Sequence, residues 1–371
     1  MERIAVMMTD MNYGGVETVI MNYYRRIDKT KYQFDFFVLE GSQIPQREEI
    51  ESMGGRVYVV PRYSKPWAYC KTVYEIFEQN HYKIVHSNMN TLSVFPLYMA
   101  KKAGIPVRIA HNHSTAAKGE GKKNIAKYLL RPLVKMYATD YLACSRMAGE
   151  WMFGKKAVAK DRVHIINNAI EIEDYKFNRE KRIEIREKYG ISDKEILIGC
   201  IGRLCFQKNQ KFLIKVLEKL GDSTIKLMFI GDGEDKRQLE EETKKLGIER
   251  QVIIVPGCSD VKKCYSAFDI FAMPSRYEGW GMVAVEAQVN ELSCVLSDRF
   301  PEEVAMTERT KRIALEVNKW VEELDNQIKL GTERPVRENS DDHLFDNYDV
   351  KIQVKYLQEY YESKSCSFCN K

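Results

Sequence analysis

Short apolar runs alternate with stretches of 3.6-residue period along almost the whole chain, the signature of βαβ units and parallel sheets. In the first half the runs predict strands near Ile4–Thr9, Gln33–Leu39, Val57–Val60, Ile84–Ser87, Val107–His111, Tyr141–Cys144 and Val163–Ile166. Amphipathic helices such as Val16–Ile27, Ala68–Gln79, Leu92–Lys102 and Asn124–Tyr137 fill the gaps. A polar segment, Asn167 to Asn178, interrupts the rhythm and reads as a linker. Strands resume near Ile196–Ile201, Lys226–Ile230, Val252–Val255, Ile270–Met273 and Ser293–Leu296, with helices such as Phe212–Leu220, Asp235–Leu246 and Val261–Ala267 between them. Asp349–Glu362 repeats apolar positions at helical spacing and reads as a last helix. The expected fold is α/β: two doubly wound Rossmann-like domains, 1–167 and 168–345, with a ligand cleft between the carboxyl ends of both sheets. Residues 346–371 read as a third segment, a closing helix followed by a polar tail.

Length supports that division, since 371 residues exceed one ordinary core. Apolar content of 44% with 30% charged residues fits a soluble globular protein and excludes disordered and fibrous classes. No apolar run approaches bilayer length. The opening Met1–Thr9 reads as a buried strand rather than a signal peptide. Nine cysteines without a framework point to a reducing cytoplasm, and Cys366-Ser-Phe-Cys369 reads as a frayed end rather than a metal site. The net charge of +5 is unevenly spread: residues 101–162 hold 14 basic against 4 acidic side chains. Such a face attracts anionic lipid, nucleic acid or a phosphorylated substrate, and a membrane surface is the expected partner.

The candidate chemistry sits where strands end. In Ser275-Arg-Tyr-Glu-Gly-Trp-Gly-Met-Val-Ala-Val-Glu286, Glu278 follows a strand, Gly279 and Gly281 follow it, and Glu286 lies on the helix behind. A helix start near Gly281 offers free amides and a positive dipole end to a diphosphate. The two carboxylates are at most ~12 Å apart at a helical rise of 1.5 Å per residue, a span suited to a nucleotide sugar. Gly202-Arg-Leu-Cys-Phe-Gln-Lys-Asn209 follows another strand, so Arg203 and Lys208 can neutralise a diphosphate as it leaves. Gly14 and Gly15, and Gly231 in Gly-Asp-Gly233, each read as a tight turn or as a phosphate-approaching loop. In Arg108-Ile-Ala-His-Asn-His-Ser114, alternation puts His111 and His113 on one side; a hydrogen bond to substrate, a structural role and an exchange of roles between them all remain open. No third zinc ligand is evident and Asp-x-Asp occurs nowhere, so no metal and no cofactor are expected.

Together these residues resemble the retaining glycosyltransferases of family 4, which share the GT-B fold. The likeness spans the Gly14-Gly15 loop, the His-Asn-His strand end, the Arg203 and Lys208 pair and the Glu278 to Glu286 motif. Glu286-Ala-Gln288 and Leu296-Ser-Asp298 are similar to the exopolysaccharide and capsular-polysaccharide branch. The resemblance implies that Arg203 and Lys208 hold the donor diphosphate, Glu278 contacts donor-sugar hydroxyls and Glu286 the ribose. It also implies that the Gly15 amide approaches the phosphate from the first domain, that His111 contacts the sugar near its reacting carbon, and that the last helix, within 346–371, packs back on the first domain. Family members of this kind need no metal, retain the anomeric configuration and dock a basic first domain on membranes. Here that surface would be Lys118, Lys122, Lys123, Lys127, Arg131 and Lys135.

Two departures stand out: Asn167-Asn168-Ala-Ile replaces Pro-Asn-Gly-Ile/Val, and Asn290-Glu-Leu-Ser replaces Ala-Gly-Leu-Pro. The expected protein is a cytoplasmic enzyme, peripheral at the inner face of the cell membrane. It would move a sugar from a nucleotide diphosphate, most simply a UDP-sugar, to a glycan or lipid-linked acceptor in surface-polysaccharide (exopolysaccharide or capsule) synthesis. Nucleic acid is not an expected partner. The alternatives are a sugar-nucleotide epimerase on the same fold, a catalytically silent sugar-nucleotide-binding protein, and a dinucleotide oxidoreductase, against which the missing Gly-x-Gly-x-x-Gly speaks.

Overall fold

The computed structural model describes residues 1–12, 14–114, 121–257, 261–331 and 343–369. It divides the chain into two compact units, Met1–Ile170 with Asn347–Lys371, and Glu171–Asp346.

Unit 1 is built on β1 (Glu2–Met7), β2 (Tyr32–Leu39), β3 (Arg56–Val60), β4 (Ile84–Ser87), β5 (Val107–Asn112), β6 (Asp140–Ala143) and β7 (Val163–Ile165), all parallel in the order 3-2-1-4-5-6-7. The strands read as near-continuous apolar runs because helices cover both faces; every residue of β2 is buried, Gln33 and Asp35 included. Alternation sorts the side chains. Ile4 and Val6 join Phe34 and Phe36 in one core, while Ala5 and Met7 join Phe37 and Leu39 in the other. The first core is closed by helix Gly15–Arg26 and by the last helix, which inserts Val350, Val354, Leu357, Tyr360 and Tyr361. At about 1.5–3 kcal/mol per fully buried large apolar side chain, that insertion anchors the helix firmly. The helix runs Val350–Cys369, through the Cys-x-x-Cys that the sequence placed in a frayed tail.

Unit 2 contains β8 (Ile196–Ile201), β9 (Ile225–Ile230), β10 (Val252–Val255), β11 (Ile270–Met273), β12 (Ser293–Ser297) and β13 (Thr310–Ile313), parallel in the order 10-9-8-11-12-13. Close approach shapes its centre: a Cβ on Gly199 would stand 2.3 Å from the Phe268 ring. Helices Gln210–Leu220 and Val317–Lys329 share one layer, where Phe212 meets the buried Trp320 edge-on at 5.3 Å. The polar stretch read as a linker contains a short helix, Ile172–Tyr175, and is followed at once by helix Arg179–Lys188. The latter is pinned by Arg182 and Arg186 on buried Asp269. The sheet orders put a topological switch beside β1 and β4 in unit 1 and beside β8 and β11 in unit 2, and ligands of open α/β sheets sit at the strand carboxyl ends there.

Candidate functional site

In unit 2 the switch point brings together two loops that lie some seventy residues apart in sequence. The loop after β8 begins at Gly202, whose φ of +149° favours glycine and where a Cβ would press on Met273 at 3.3 Å and Lys208 at 3.4 Å. It ends at Asn209, a left-handed N-cap for helix Gln210–Leu220. The loop after β11 is stitched to it. Asn209 donates to the Pro274 carbonyl at 3.1 Å, and Gln207 to the Tyr277 carbonyl at 3.1 Å. Arg276 donates to Asn209 Oδ1 at 2.8 Å, and its guanidinium stacks 4.4 Å over the exposed Phe206 ring. These contacts aim Lys208 and Glu278 at each other, with Nζ 2.5 Å from Oε1 and side chains only 17% and 6% exposed. Ser275 Oγ donates to the same carboxylate oxygen at 2.8 Å. Arg203 lies in the same loop as Lys208 with an exposed side chain that forms no ion pair among the described residues.

Glycines around this pair divide by cause. Gly281 caps helix Met282–Val289 with a φ of +86°, and a Cβ there would strike Phe300 at 2.3 Å. Gly279 lies in the turn before it. Gly231, expected to approach a ligand, has a packing reason of its own: its φ is +145° and a Cβ would lie 2.2 Å from the Gly202 carbonyl. Glu286 is buried on that helix and accepts from Tyr265. Burial pushes its carboxyl above the usual range, with hydrogen bonds from Tyr265 and Tyr175 and the charge of Lys262 pulling the other way. Of the two departures, Asn290 donates to the Tyr175 carbonyl at 2.6 Å, and Glu291 takes the left-handed conformation (φ +64°) where the resembling turn has glycine.

In unit 1, Gly14 caps helix Gly15–Arg26 without a side-chain hydrogen bond, leaving first-turn amides without intrahelical acceptors. A Cβ on Gly15 would meet nothing within 4 Å, so the protein itself does not require glycine there. At the end of β5, His111 and His113 lie on one side with ring centroids 4.1 Å apart. The two are not equivalent. His113 engages Asn88 at 2.9 Å and Asn168 at 3.3 Å, and Asn168 is the residue of the Asn167-Asn168-Ala-Ile segment that matches the resembling pattern. His111 binds His86 Nε2 through Nδ1 at 3.0 Å, and its buried Nε2 has no hydrogen-bond partner among the described residues. Burial lowers all three imidazoles: His86 to about 3, His113 to about 4, and His111 well below its ordinary value. His86 escaped the sequence reading; a histidine at the carboxyl end of a central strand was its only signal.

On helix Gly121–Tyr137 the exposed face is apolar, with Ile125, Tyr128, Leu129, Leu133 and Met136 facing outward. The basic residues Lys127, Arg131 and Lys135 are half-buried between them. Lys122 and Lys123 belong to the same helix, while Lys118 lies outside the described residues. Among the described residues no helix is long and apolar enough to cross a membrane, and no cluster of three or more metal-ligating side chains occurs.

Two doubly wound sheets, the second with the Lys208–Glu278 couple at its switch point, define the class. The family described as Glycosyltransferase Family 4 matches residues 13–174, and that described as Glycosyl transferases group 1 matches residues 181–342. EpsF of Bacillus subtilis (strain 168), which bears a glycosyltransferase name, is 32% identical over 97% of this chain and 96% of its own. The chain belongs to glycosyltransferase family 4. The UDP-Gal:alpha-D-GlcNAc-diphosphoundecaprenol alpha-1,3-galactosyltransferase of Escherichia coli is 22% identical over 61% of this chain and 60% of its own. The crystal structure of Anabaena HepE with UDP-glucose superposes with a TM-score of 0.80 at 18% identity, covering 97% of this chain and 99% of that one; the shared fold is GT-B.

Proposed function

We propose that this glycosyltransferase takes a UDP-sugar as donor, retains its anomeric configuration, and acts without a metal on a glycan or lipid-linked acceptor of surface-polysaccharide synthesis. The observation that carries this reading is the half-buried Lys208–Glu278 couple at the β8/β11 switch point, with the exposed Arg203 side chain in the same loop. A diphosphate entering there would draw Lys208 from Glu278 and meet Arg203, so two cations would take up charge as the phosphate leaves. The released Glu278 would accept from sugar hydroxyls. Glu286 would face the ribose, and the amides near Gly15, Gly279 and Gly281 would offer donors to phosphate oxygens. His111 would give its unpartnered Nε2 to a substrate oxygen. The uridine donor draws support from HepE, described with UDP-glucose, and from the UDP-Gal-dependent Escherichia coli relative, whose name also specifies a diphosphoundecaprenol-linked acceptor.

We also propose peripheral attachment at the inner face of the cell membrane, a reading that helix Gly121–Tyr137 supports. Exposed Ile125, Leu129 and Met136 beside Lys127, Arg131 and Lys135 form a surface that enters a headgroup layer and attracts anionic lipid. A donor panel tests the whole reading. UDP-sugars should raise the melting temperature and release UDP in the presence of membrane-extracted acceptors, with the product anomer matching the donor and the rate unchanged by excess chelator. Loss of activity in chelator with recovery on Mn²⁺ addition would remove the metal-free reading, and an inverted product the retaining one.

A further inference from the structure

The unpartnered Nε2 of His111 is the end of a buried chain that starts on the last helix. Tyr361, fully buried, lies 2.6 Å from His86 Nδ1, and His86 Nε2 lies 3.0 Å from His111 Nδ1. The rings of His86 and His111 stack at 5.2 Å, and Tyr361 meets His86 edge-on at 5.9 Å. Two hundred and seventy-five residues of chain separate Tyr361 from His86. All three side chains belong to unit 1.

The direction of each bond follows from one hydrogen. Burial keeps the Tyr361 phenol protonated, and its hydroxyl has no other partner among the described residues. A buried hydroxyl hydrogen without an acceptor is costly, so it points at His86 Nδ1. Burial also holds both imidazoles neutral, so each carries a single ring proton. His86, accepting at Nδ1, carries its proton on Nε2 and donates to His111 Nδ1. His111, accepting at Nδ1, carries its own on Nε2. That atom can then donate to a substrate oxygen and cannot accept.

We propose that Tyr361 and His86 are positioning residues that hold His111 in its Nε2–H tautomer, making it a dedicated hydrogen-bond donor. The chain of bonds stands on geometry; its use in transfer rests on the proposed role of His111. A conformational consequence is built in, because the hydroxyl that starts the chain comes from the closing helix. Undocking that helix would free His111 to take either tautomer, so helix docking and donor competence are linked.

Long-range ¹H–¹⁵N correlation on full-length protein labelled with ¹⁵N-histidine reads the tautomer directly, and six histidines are few enough to assign by substitution. In the wild type, His86 and His111 should each show a protonated Nε2 and a bare Nδ1. Tyr361→Phe should leave His111 populating both tautomers. His86→Gln should preserve the Nε2–H state, since the amide can accept from Tyr361 at Oε1 and donate to His111 from Nε2; His86→Leu should lose it. In donor turnover, Tyr361→Phe and His86→Leu should lower kcat on the order of tenfold with a smaller change in KM, as loss of an orienting partner does, and His86→Gln should restore most of it. His111 protonated on Nδ1 in the wild type, or a tautomer unmoved by Tyr361→Phe, overturns the proposal. His111→Ala turning over at the wild-type rate would instead remove the role of His111 while leaving the measured tautomer intact.

Discussion

Replacing Lys208 with alanine separates what the Lys208–Glu278 couple does for the fold from what it does for the donor. The Glu278 side chain is 6% exposed, and without the ammonium its carboxylate keeps, among the described residues, the Ser275 hydroxyl alone. Orphaning one partner of a fully buried pair costs about 3–5 kcal/mol. The Ser275 bond and the 17% exposure of Lys208 lower this to about 2–3 kcal/mol, taking that range as the ceiling. For a unit of this size that corresponds to a melting temperature lower by about 4–12 °C. Adding Glu278→Gln in the same chain removes the stranded charge and should return most of the loss. Binding should behave differently. Losing a charge-assisted contact to the diphosphate, about 1.5–3 kcal/mol, weakens UDP binding by about 10- to 100-fold, and the double variant should not recover it. Glu278→Gln alone has the opposite sign: Lys208 is released, so UDP should bind more tightly while sugar transfer falls. Calorimetric melting and titration of the three variants with UDP make the comparison. Wild-type UDP affinity in Lys208→Ala would refute the diphosphate role, and an unchanged melting temperature would refute the buried-charge account.

Other expectations follow from the same geometry. Gly15→Ala enters open space at a helix start, so stability should hold or rise by up to about 1 kcal/mol while donor turnover falls; equal turnover would leave Gly15 as an ordinary turn residue. His86, His111 and His113 have folded pKa values depressed below 6.5, so the unfolded chain takes up protons that the folded chain refuses. Stability should therefore be full above about pH 6.5 and fall as the pH drops toward 4, by about 1.4 kcal/mol per unit for each histidine. Urea midpoints that stay flat between pH 7 and 5 would contradict the buried neutral cluster. Ile125→Ser with Leu129→Ser should weaken binding to vesicles rich in anionic lipid at all salt concentrations, whereas Lys127→Ala with Arg131→Ala should weaken it mainly at low salt; unchanged co-sedimentation would leave this helix as plain surface.

Most strands were legible because buried parallel strands are near-continuous apolar runs, and the switch-point loops were legible because glycine and charge follow those runs directly. Edge strand β13 was not: Thr310-Lys-Arg-Ile313 pairs on one side only and carries two cations. Helix Arg179–Lys188 hid for a related reason, being charged almost all round and held by ion pairs to Asp269 rather than by an apolar stripe. Arg203, Lys208 and Glu278 could be picked as candidates, but the contact between Lys208 and Glu278 follows from β8 and β11 being neighbours, which no local pattern states. His111 and His113 could not be ranked from alternation, which places both on one side. The distinction lay in Asn88, Asn168, His86 and Tyr361, residues from four other segments. The apolar outer face of helix Gly121–Tyr137 was obscured by counting charge, which ignores how long basic stems fold back while short apolar side chains stay outside.

Unit 1 is written in two pieces, with the whole of unit 2 spliced between Ile170 and Asn347. An expression fragment stopping at residue 170 would therefore bare the groove that Val354, Leu357 and Tyr361 fill, and would aggregate rather than report on the first sheet. A workable dissection excises 171–346 as one contiguous insert and rejoins its flanks with a short tether. Shortening the gene from its 3′ end, by contrast, damages the part of the protein encoded at its 5′ end.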